Sequence, residues 1–153
     1  MPTLTRLVAL VLFAFLAYIA GDRYITLFDP SEGLPAVPVV WLAVVGGAVG
    51  WQFVGGRVGA GSLQSIWIGL QGVVLAIFWA LVLLGGAEMV ARSHAQRYDG
   101  VMEAVIGWFE IALEHLTRMG GSVDFLILLA AGGAICGLLS GLFFRYAEKR
   151  RKG

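Results

Sequence analysis

The ionisable residues best suited to chemistry lie in one stretch, residues 92–116, of a chain that is otherwise mostly apolar. Imidazoles and carboxylates are common metal ligands, and this stretch contains His94, Asp99, Glu103, Glu110, Glu114 and His115. On a helix the three glutamates share one face, whereas His115 is turned about 100° away, and no H-E-x-x-H or comparable motif joins them. We therefore predict no metal site.

The same stretch offers a second kind of site, one for an oxyanion. Arg92 and Arg97 could hold an anion together with the N-terminus of a helix that begins near residue 101. Asp99 would compete for those donors because it is well placed to cap the helix, and a glutamate in the first turn suits the helix dipole. We interpret the following residues as a structural corner whose binding role stays open: Arg92, Arg97, Tyr98, Asp99 and Glu103.

Nucleophilic catalysis has little support in the sequence. Ser93 is adjacent to His94 and so points away from it on a helix. The single cysteine, Cys136, lies deep in an apolar segment, where a thiolate is disfavoured, and it has no second cysteine to pair with. No phosphate loop or dinucleotide fingerprint occurs. We predict that the protein is not an enzyme and carries no cofactor.

The composition indicates a membrane protein. Of 153 residues, 59% are hydrophobic and 14% are charged, with a mean hydropathy of +0.84. Soluble domains are about half apolar and about a quarter charged, so the lipid bilayer is the natural solvent for this chain. The net charge of +1, with basic residues clustered only near the C-terminal end, gives no reason to expect a nucleic-acid partner.

Four apolar segments are long enough to cross a hydrocarbon core about 30 Å thick, which takes roughly 20 residues. They cover residues 4–24, 38–54, 63–84 and 125–144. The first also resembles a secretory signal, but its candidate cleavage sites have Tyr18 or Phe15 where a small residue is needed, so we expect it to be retained. The predicted fold class is all-α: a four-helix transmembrane bundle in one integral membrane domain, residues 1–153.

An amphipathic helix is predicted for residues 101–119, between the third and fourth spans. Its apolar arc runs from Val101 to Met119, and the opposite side carries Glu103, Glu110, Glu114 and Arg118. Three carboxylates in mid-membrane would each cost on the order of 2.5 to 3.5 kcal/mol, so we expect the helix to lie at the membrane surface or against the bundle. Because its polar side is acidic, a protein partner or the bundle suits it better than anionic lipid.

Glycines at four-residue spacing predict close helix packing, because small residues let backbones approach each other in lipid. They are Gly46 and Gly50 in the second span, and Gly133, Gly137 and Gly141 in the fourth. This pattern suits packing inside the bundle, which we favour, and it also suits association with a second copy or another subunit.

Glutamines are the polar side chains in or near the spans. Gln64 and Gln71 are seven residues apart and so share a helix face, which we expect to point inward to find hydrogen-bond partners. No lysine, arginine or acid lies in the middle of a predicted span. Ion-coupled transporters usually mark their path with such residues, so this pattern does not favour a transporter.

The distribution of lysine and arginine predicts the orientation in the membrane. One side receives seven of them next to span ends: Arg6, Arg57, Arg145, Lys149, Arg150, Arg151 and Lys152. The other side receives four, together with nine of the ten acids. The positive-inside rule therefore places both termini in the cytoplasm and the amphipathic helix on the outer, extracytoplasmic side.

Several segments match a known pattern: "MPT" followed by "LVA" at the start, "IFWAL" in the third span, "AEMVARS", and above all "RYDGVMEAVIGWFEIALEH". With these segments the chain resembles the TrgA family of small bacterial membrane proteins, named for tellurite resistance. The resemblance implies a multi-pass protein of the bacterial cytoplasmic (inner) membrane that contributes to tolerance of tellurium oxyanions, by excluding, exporting or buffering against them. It supplies no catalytic residues. The proline-bearing first loop and the long basic tail depart from the family pattern.

A second function is also compatible with the sequence, that of an accessory or scaffold subunit in a larger membrane assembly. Its motivation is the uncharged spans, the glycine faces, and an acidic helix suited to a basic partner outside. The lipid bilayer is a partner in both cases, and other membrane subunits or further copies of the chain are partners in the second.

Overall fold

The computed structural model describes residues 2–27, 37–59, 61–94 and 101–152, and within these ranges all regular structure is helical. The α-helices are α1 Pro2–Ile25, α2 Val39–Val49, α3 Gly55–Arg57, α4 Ser62–His94, α5 Val101–Gly121 and α6 Val123–Lys152. A π-helical turn, Gly50–Val54, joins α2 to α3 without a break. The predicted all-α class is thus confirmed for the described residues.

Within the described ranges, four helical segments are long and apolar enough to cross a membrane: Leu4–Ile25, Val39–Arg57, Ser62–Val90 and Val123–Arg150. They coincide with the four predicted spans and extend most of them. α4 is the longest at 33 residues and continues past the predicted end of the third span at residue 84 to His94. The coarse prediction of a multi-pass helical protein is confirmed by length and composition.

Local chemistry explains where two of these helices begin. Pro38 has φ −59° and ψ 143°, an extended conformation that cannot continue a helix, and α2 starts at the next residue. Ser122 alone separates α5 from α6. Its hydroxyl oxygen accepts a hydrogen bond from the backbone N–H of Phe125 at 3.4 Å, which caps the start of α6. The chain therefore turns from α5 into the last long apolar helix, α6, within one residue.

The core of the bundle forms two apolar clusters where the long helices meet. One cluster contains Ala9, Phe13, Leu16, Val54, Val58, Ile68, Val73 and Cys136. The other contains Ala20, Tyr24, Val37, Leu42, Leu84, Met119 and Phe125, and so includes a residue of α5. The second cluster is the part of the core to which α5 is attached.

Glycines of α2 and its π-helical turn lie against α1. A Cβ at Gly46 would overlap the side chain of Ala17 and approach the carbonyl oxygen of Phe13 to 2.7 Å. A Cβ at Gly50 would overlap the carbonyl oxygen of Ala9. These two positions allow the backbones of the first two spans to touch.

Glycines of α6 lie against α4 in the same way. A Cβ at Gly133 would be 3.3 Å from the carbonyl oxygen of Gly69. A Cβ at Gly137 would overlap the carbonyl oxygen of Ser65, and one at Gly141 would overlap the Ser65 hydroxyl. The glycine positions singled out in the sequence therefore all face other helices of the same chain.

The predicted inward orientation of the two glutamines is wrong. Gln64 and Gln71 are both exposed on the outer surface of α4. The inner side of α4 is occupied instead by Ser65 and Gly69, which are small enough to let α6 approach closely. A glutamine at that contact would keep the two helices apart.

Candidate functional site

A polar cluster joins three helices at one end of the bundle. The hydroxyl of Tyr24, near the end of α1, lies 2.5 Å from Nδ1 of His115 in α5. Nε2 of His115 lies 3.1 Å from a carboxylate oxygen of Glu88 in α4. Both ring nitrogens of His115 are therefore engaged, one by each neighbouring helix.

The cluster is buried on its apolar side and reaches solvent through its carboxylate. Tyr24 is 1% exposed and His115 is 4% exposed, whereas the side chain of Glu88 is 31% exposed. The ring of Tyr24 meets the His115 ring edge-on, with centroids 5.9 Å apart, and it also contacts Phe125 at 6.0 Å. Burial and aromatic packing hold the hydrogen-bonding atoms in place.

The two contacts of His115 fit one neutral tautomer of its ring. In that tautomer Nε2–H donates a hydrogen bond to the Glu88 carboxylate. Nδ1 then accepts a hydrogen bond from the Tyr24 hydroxyl. Each buried polar atom of the imidazole has a partner, so the cluster acts as a polar link that fixes α5 to α1 and α4.

α5 packs on the bundle mainly with a side that the sequence pattern did not predict. Ile111 and His115 are buried there, together with Met119, which does belong to the predicted apolar arc. Trp108 covers Gly85 of α4, where a Cβ would lie 2.9 Å from the indole nitrogen. Of the predicted apolar arc, these residues are exposed: Met102, Val105, Ile106, Phe109, Leu113 and Leu116. The buried side of α5 is rotated away from the predicted apolar arc because His115 buries its ring between Tyr24 and Glu88.

The carboxylates of α5 form a third, exposed side of the helix. Glu103, Glu110 and Glu114 are all exposed. Glu114 accepts a hydrogen bond from Arg118 at 3.3 Å, an exposed pair one turn apart. α5 therefore has one side on the bundle, one acidic side, and one exposed apolar side.

Most of the predicted structural corner lies outside the residues that the structure describes. Arg97, Tyr98 and Asp99 lie outside the described residues, so the proposed helix cap and oxyanion cradle stay predictions. Arg92 belongs to the last turns of α4, and nothing is described of its side chain. Glu103 is in the first turn of α5, as predicted. Within the described ranges, no group of three or more His, Cys, Asp or Glu side chains could hold a metal ion.

The spacing of residues along α5 contained a signal for the polar cluster. Ile111, His115 and Met119 are four residues apart in turn and so lie along one line of the helix. A histidine between two apolar residues on such a line is in a packing position. Its partners could not be found, because Tyr24 is 91 residues away in the chain.

A small apolar cleft lies beside the cluster, between α1, α2, α4, α5 and α6. It has a volume of about 60 Å³, and its lining includes Phe13, Leu42, Ile77 and Leu129, with Tyr24 at one end. The hydroxyl of Tyr24 is directed to His115 rather than into this cleft. The cleft therefore offers apolar contacts and little room for a polar substrate.

Comparison with profiles of known protein families, with curated proteins and with solved structures finds no match. The resemblance to the TrgA family therefore stays a prediction.

Proposed function

We propose that the protein spans the bacterial cytoplasmic membrane four times, with both termini in the cytoplasm. The four apolar helices support the number of spans, and the seven lysines and arginines next to the span ends on one side support the orientation. The polar cluster then lies at the extracytoplasmic end of the bundle, since Tyr24 and Glu88 are at the corresponding ends of their helices.

In this arrangement α5 lies along the extracytoplasmic surface of the cytoplasmic membrane, at the boundary between lipid and water. Support comes from its attachment: it packs on Gly85 and Glu88, which belong to the span Ser62–Val90, and only Ser122 separates it from the next span. The exposed apolar side of α5 then faces lipid at the boundary, while its acidic side faces water. This orientation avoids the cost of placing three carboxylates in hydrocarbon.

We propose that the protein contributes to tellurite tolerance without catalysing a reaction itself. The observation that carries this proposal is the resemblance over residues 97–115, most of which form α5. The docking of α5 through a histidine with both ring nitrogens engaged favours a structural role for the stretch. The protein would act by excluding, exporting or buffering against the oxyanion.

A deletion strain tests the role. Loss of the protein should lower the tellurite concentration that stops growth, and a plasmid copy should restore it, because the protective component is missing only in the deletion. Growth across a tellurite series is the measurement, with a general membrane stress such as ethanol as the control. Unchanged growth in tellurite, or equal sensitivity to both treatments, would count against the role.

A second candidate function is that of an accessory subunit of a larger membrane assembly. The exposed acidic side of α5, with Glu103, Glu110 and Glu114, favours it because carboxylates in a row suit a basic partner. After gentle detergent extraction, native separation should show the protein in a species larger than one or two copies. The Glu110→Lys variant should no longer migrate with that larger species, because a lysine there would repel a basic partner. Migration of the native chain only as a small species would contradict this function.

A further inference from the structure

Gln71 has a polar side chain, but its position on α4 places it in apolar surroundings. It lies nine residues after the first residue of α4, which is about 14 Å along the helix axis. α4 is a candidate span over Ser62–Val90, and the Gln71 side chain is exposed on its outer surface. The amide therefore faces the hydrocarbon region of the bilayer.

The surface around Gln71 is apolar, so it offers the amide nothing to bind. Trp67, Val74 and Phe78 lie within two turns on the same face of α4, and all three are exposed. In the part of the chain that the structure describes, the Gln71 amide has no hydrogen-bond partner. Lipid tails supply no donors or acceptors, so an amide left there costs free energy.

A second copy of this chain would supply the missing partner. We propose that two copies pack through the α4 faces that carry Gln71, with the two Gln71 amides hydrogen-bonded to each other across a two-fold axis along the membrane normal. All copies insert in one orientation, so the two side chains lie at the same depth. An amide has both donors and an acceptor, so two of them can exchange N–H···O bonds.

The glycine faces do not provide this interface. Gly46 and Gly50 face α1, and Gly137 faces α4, all within one copy. Hydrogen bonds between polar side chains are the other means by which helices associate in lipid. The inference depends on the four-span assignment and goes beyond the proposed role in tellurite tolerance.

Gln64 shows that the depth of a glutamine in the membrane decides whether its amide needs a protein partner. It lies on the same face as Gln71 but only two residues from the start of α4, next to Gly61 and the basic end of the bundle. Its amide can reach water or headgroups from there, so it needs no protein partner. Gln64 is therefore a matched control for Gln71, with the same side chain on the same helix face.

Cysteine cross-linking in native membranes tests the interface. In a Cys136→Ser background, which removes the only thiol of the chain, the Val74→Cys and Phe15→Cys variants compare two outward positions, 67% and 64% exposed, on α4 and α1. Oxidation should link the Val74→Cys variant into disulfide dimers and leave the Phe15→Cys variant monomeric. Equal cross-linking at both positions, or none at Val74, would overturn the proposal.

The role of the amide is tested in the same background. Adding Gln71→Leu to the Val74→Cys variant should weaken dimerisation roughly 3- to 30-fold, the range for hydrogen bonding between polar side chains of helices in lipid. Gln64→Leu should leave it unchanged. Since both side chains are exposed, neither change should lower the thermal unfolding midpoint of the monomer in detergent. Undiminished dimerisation of the Gln71→Leu variant, or an equal loss in both, would show that the amide does not hold the copies together.

Discussion

A single methyl group at Gly137 should destabilise the bundle, whereas the same methyl group at Gly86 should not. A Cβ at Gly137 would overlap the carbonyl oxygen of Ser65 and lie 2.8 Å from the Cα of Gly69. Both neighbours are backbone, so α4 and α6 must move apart to make room. We expect Gly137→Ala to lower the free energy of unfolding by about 1–3 kcal/mol, the usual cost of overpacking.

Gly86 is the matched control because it also lies inside a long helix, and nothing would come within 4 Å of a Cβ there. Gly86→Ala should be neutral, or stabilising by up to about 1 kcal/mol through helix propensity. The measurement is unfolding in detergent micelles by titration with a denaturing detergent, followed by tryptophan fluorescence. Equal stability of the two variants would mean that α4 and α6 do not meet at these glycines.

Removal of the His115 side chain should loosen the attachment of α5 to the bundle. In the His115→Ala variant Tyr24 loses its hydrogen bond to Nδ1 while its ring stays buried, and Glu88 loses its bond to Nε2. The missing ring also leaves a cavity against Tyr24. Lost hydrogen bonds and a cavity together cost about 2–5 kcal/mol. Hydrogen exchange of the α5 backbone amides is the direct measurement, and it should become much faster.

Glu114 supplies the control on the same helix, one residue away. Its side chain is 58% exposed and pairs with Arg118 one turn further along the helix. Glu114→Gln should cost at most about 0.5 kcal/mol, because exposed ion pairs one turn apart contribute little. If exchange in α5 were as slow in the His115→Ala variant as in the Glu114→Gln variant, the polar cluster would not be what holds α5 in place.

The four long apolar helices were predictable because a bilayer sets the length and composition that a span must have. About 20 apolar residues are needed to cross hydrocarbon, and segments such as residues 4–24 and 125–144 satisfy that condition by composition alone. The amphipathic helix was predictable for a related reason, since its charges repeat with the helical period. Its observed range, Val101–Gly121, extends the predicted one by two residues.

The contacts between helices were not predictable from these patterns. The spacing of Gly133 and Gly137 shows that a small-residue face exists, but it does not say that Ser65 and Gly69 of α4 fill it. Once that contact forms, Gln71 must point outward, opposite to the expectation that polar groups in a span turn inward. Which side of a helix is buried is decided by the shape of its neighbour.

The polar cluster escaped prediction for the same reason. His115 lies off the glutamate face of α5 and in line with Ile111 and Met119, so the helical spacing indicates a packing position but does not identify its partners. The structure buries it, since Tyr24 and Glu88 come from two other helices and satisfy both ring nitrogens. A pairing of residues that are 91 positions apart is a property of the assembled bundle.

Cysteine accessibility tests the four-span arrangement most directly. In the Cys136→Ser background, Glu110→Cys places a thiol on the exposed acidic side of α5, and Lys149→Cys places one near the exposed end of α6. We predict that a membrane-impermeant maleimide added to intact spheroplasts labels the Glu110→Cys variant, and that it labels the Lys149→Cys variant only after the membrane is opened. Labelling of both variants from the same side, or of Lys149→Cys alone from outside, would contradict the arrangement.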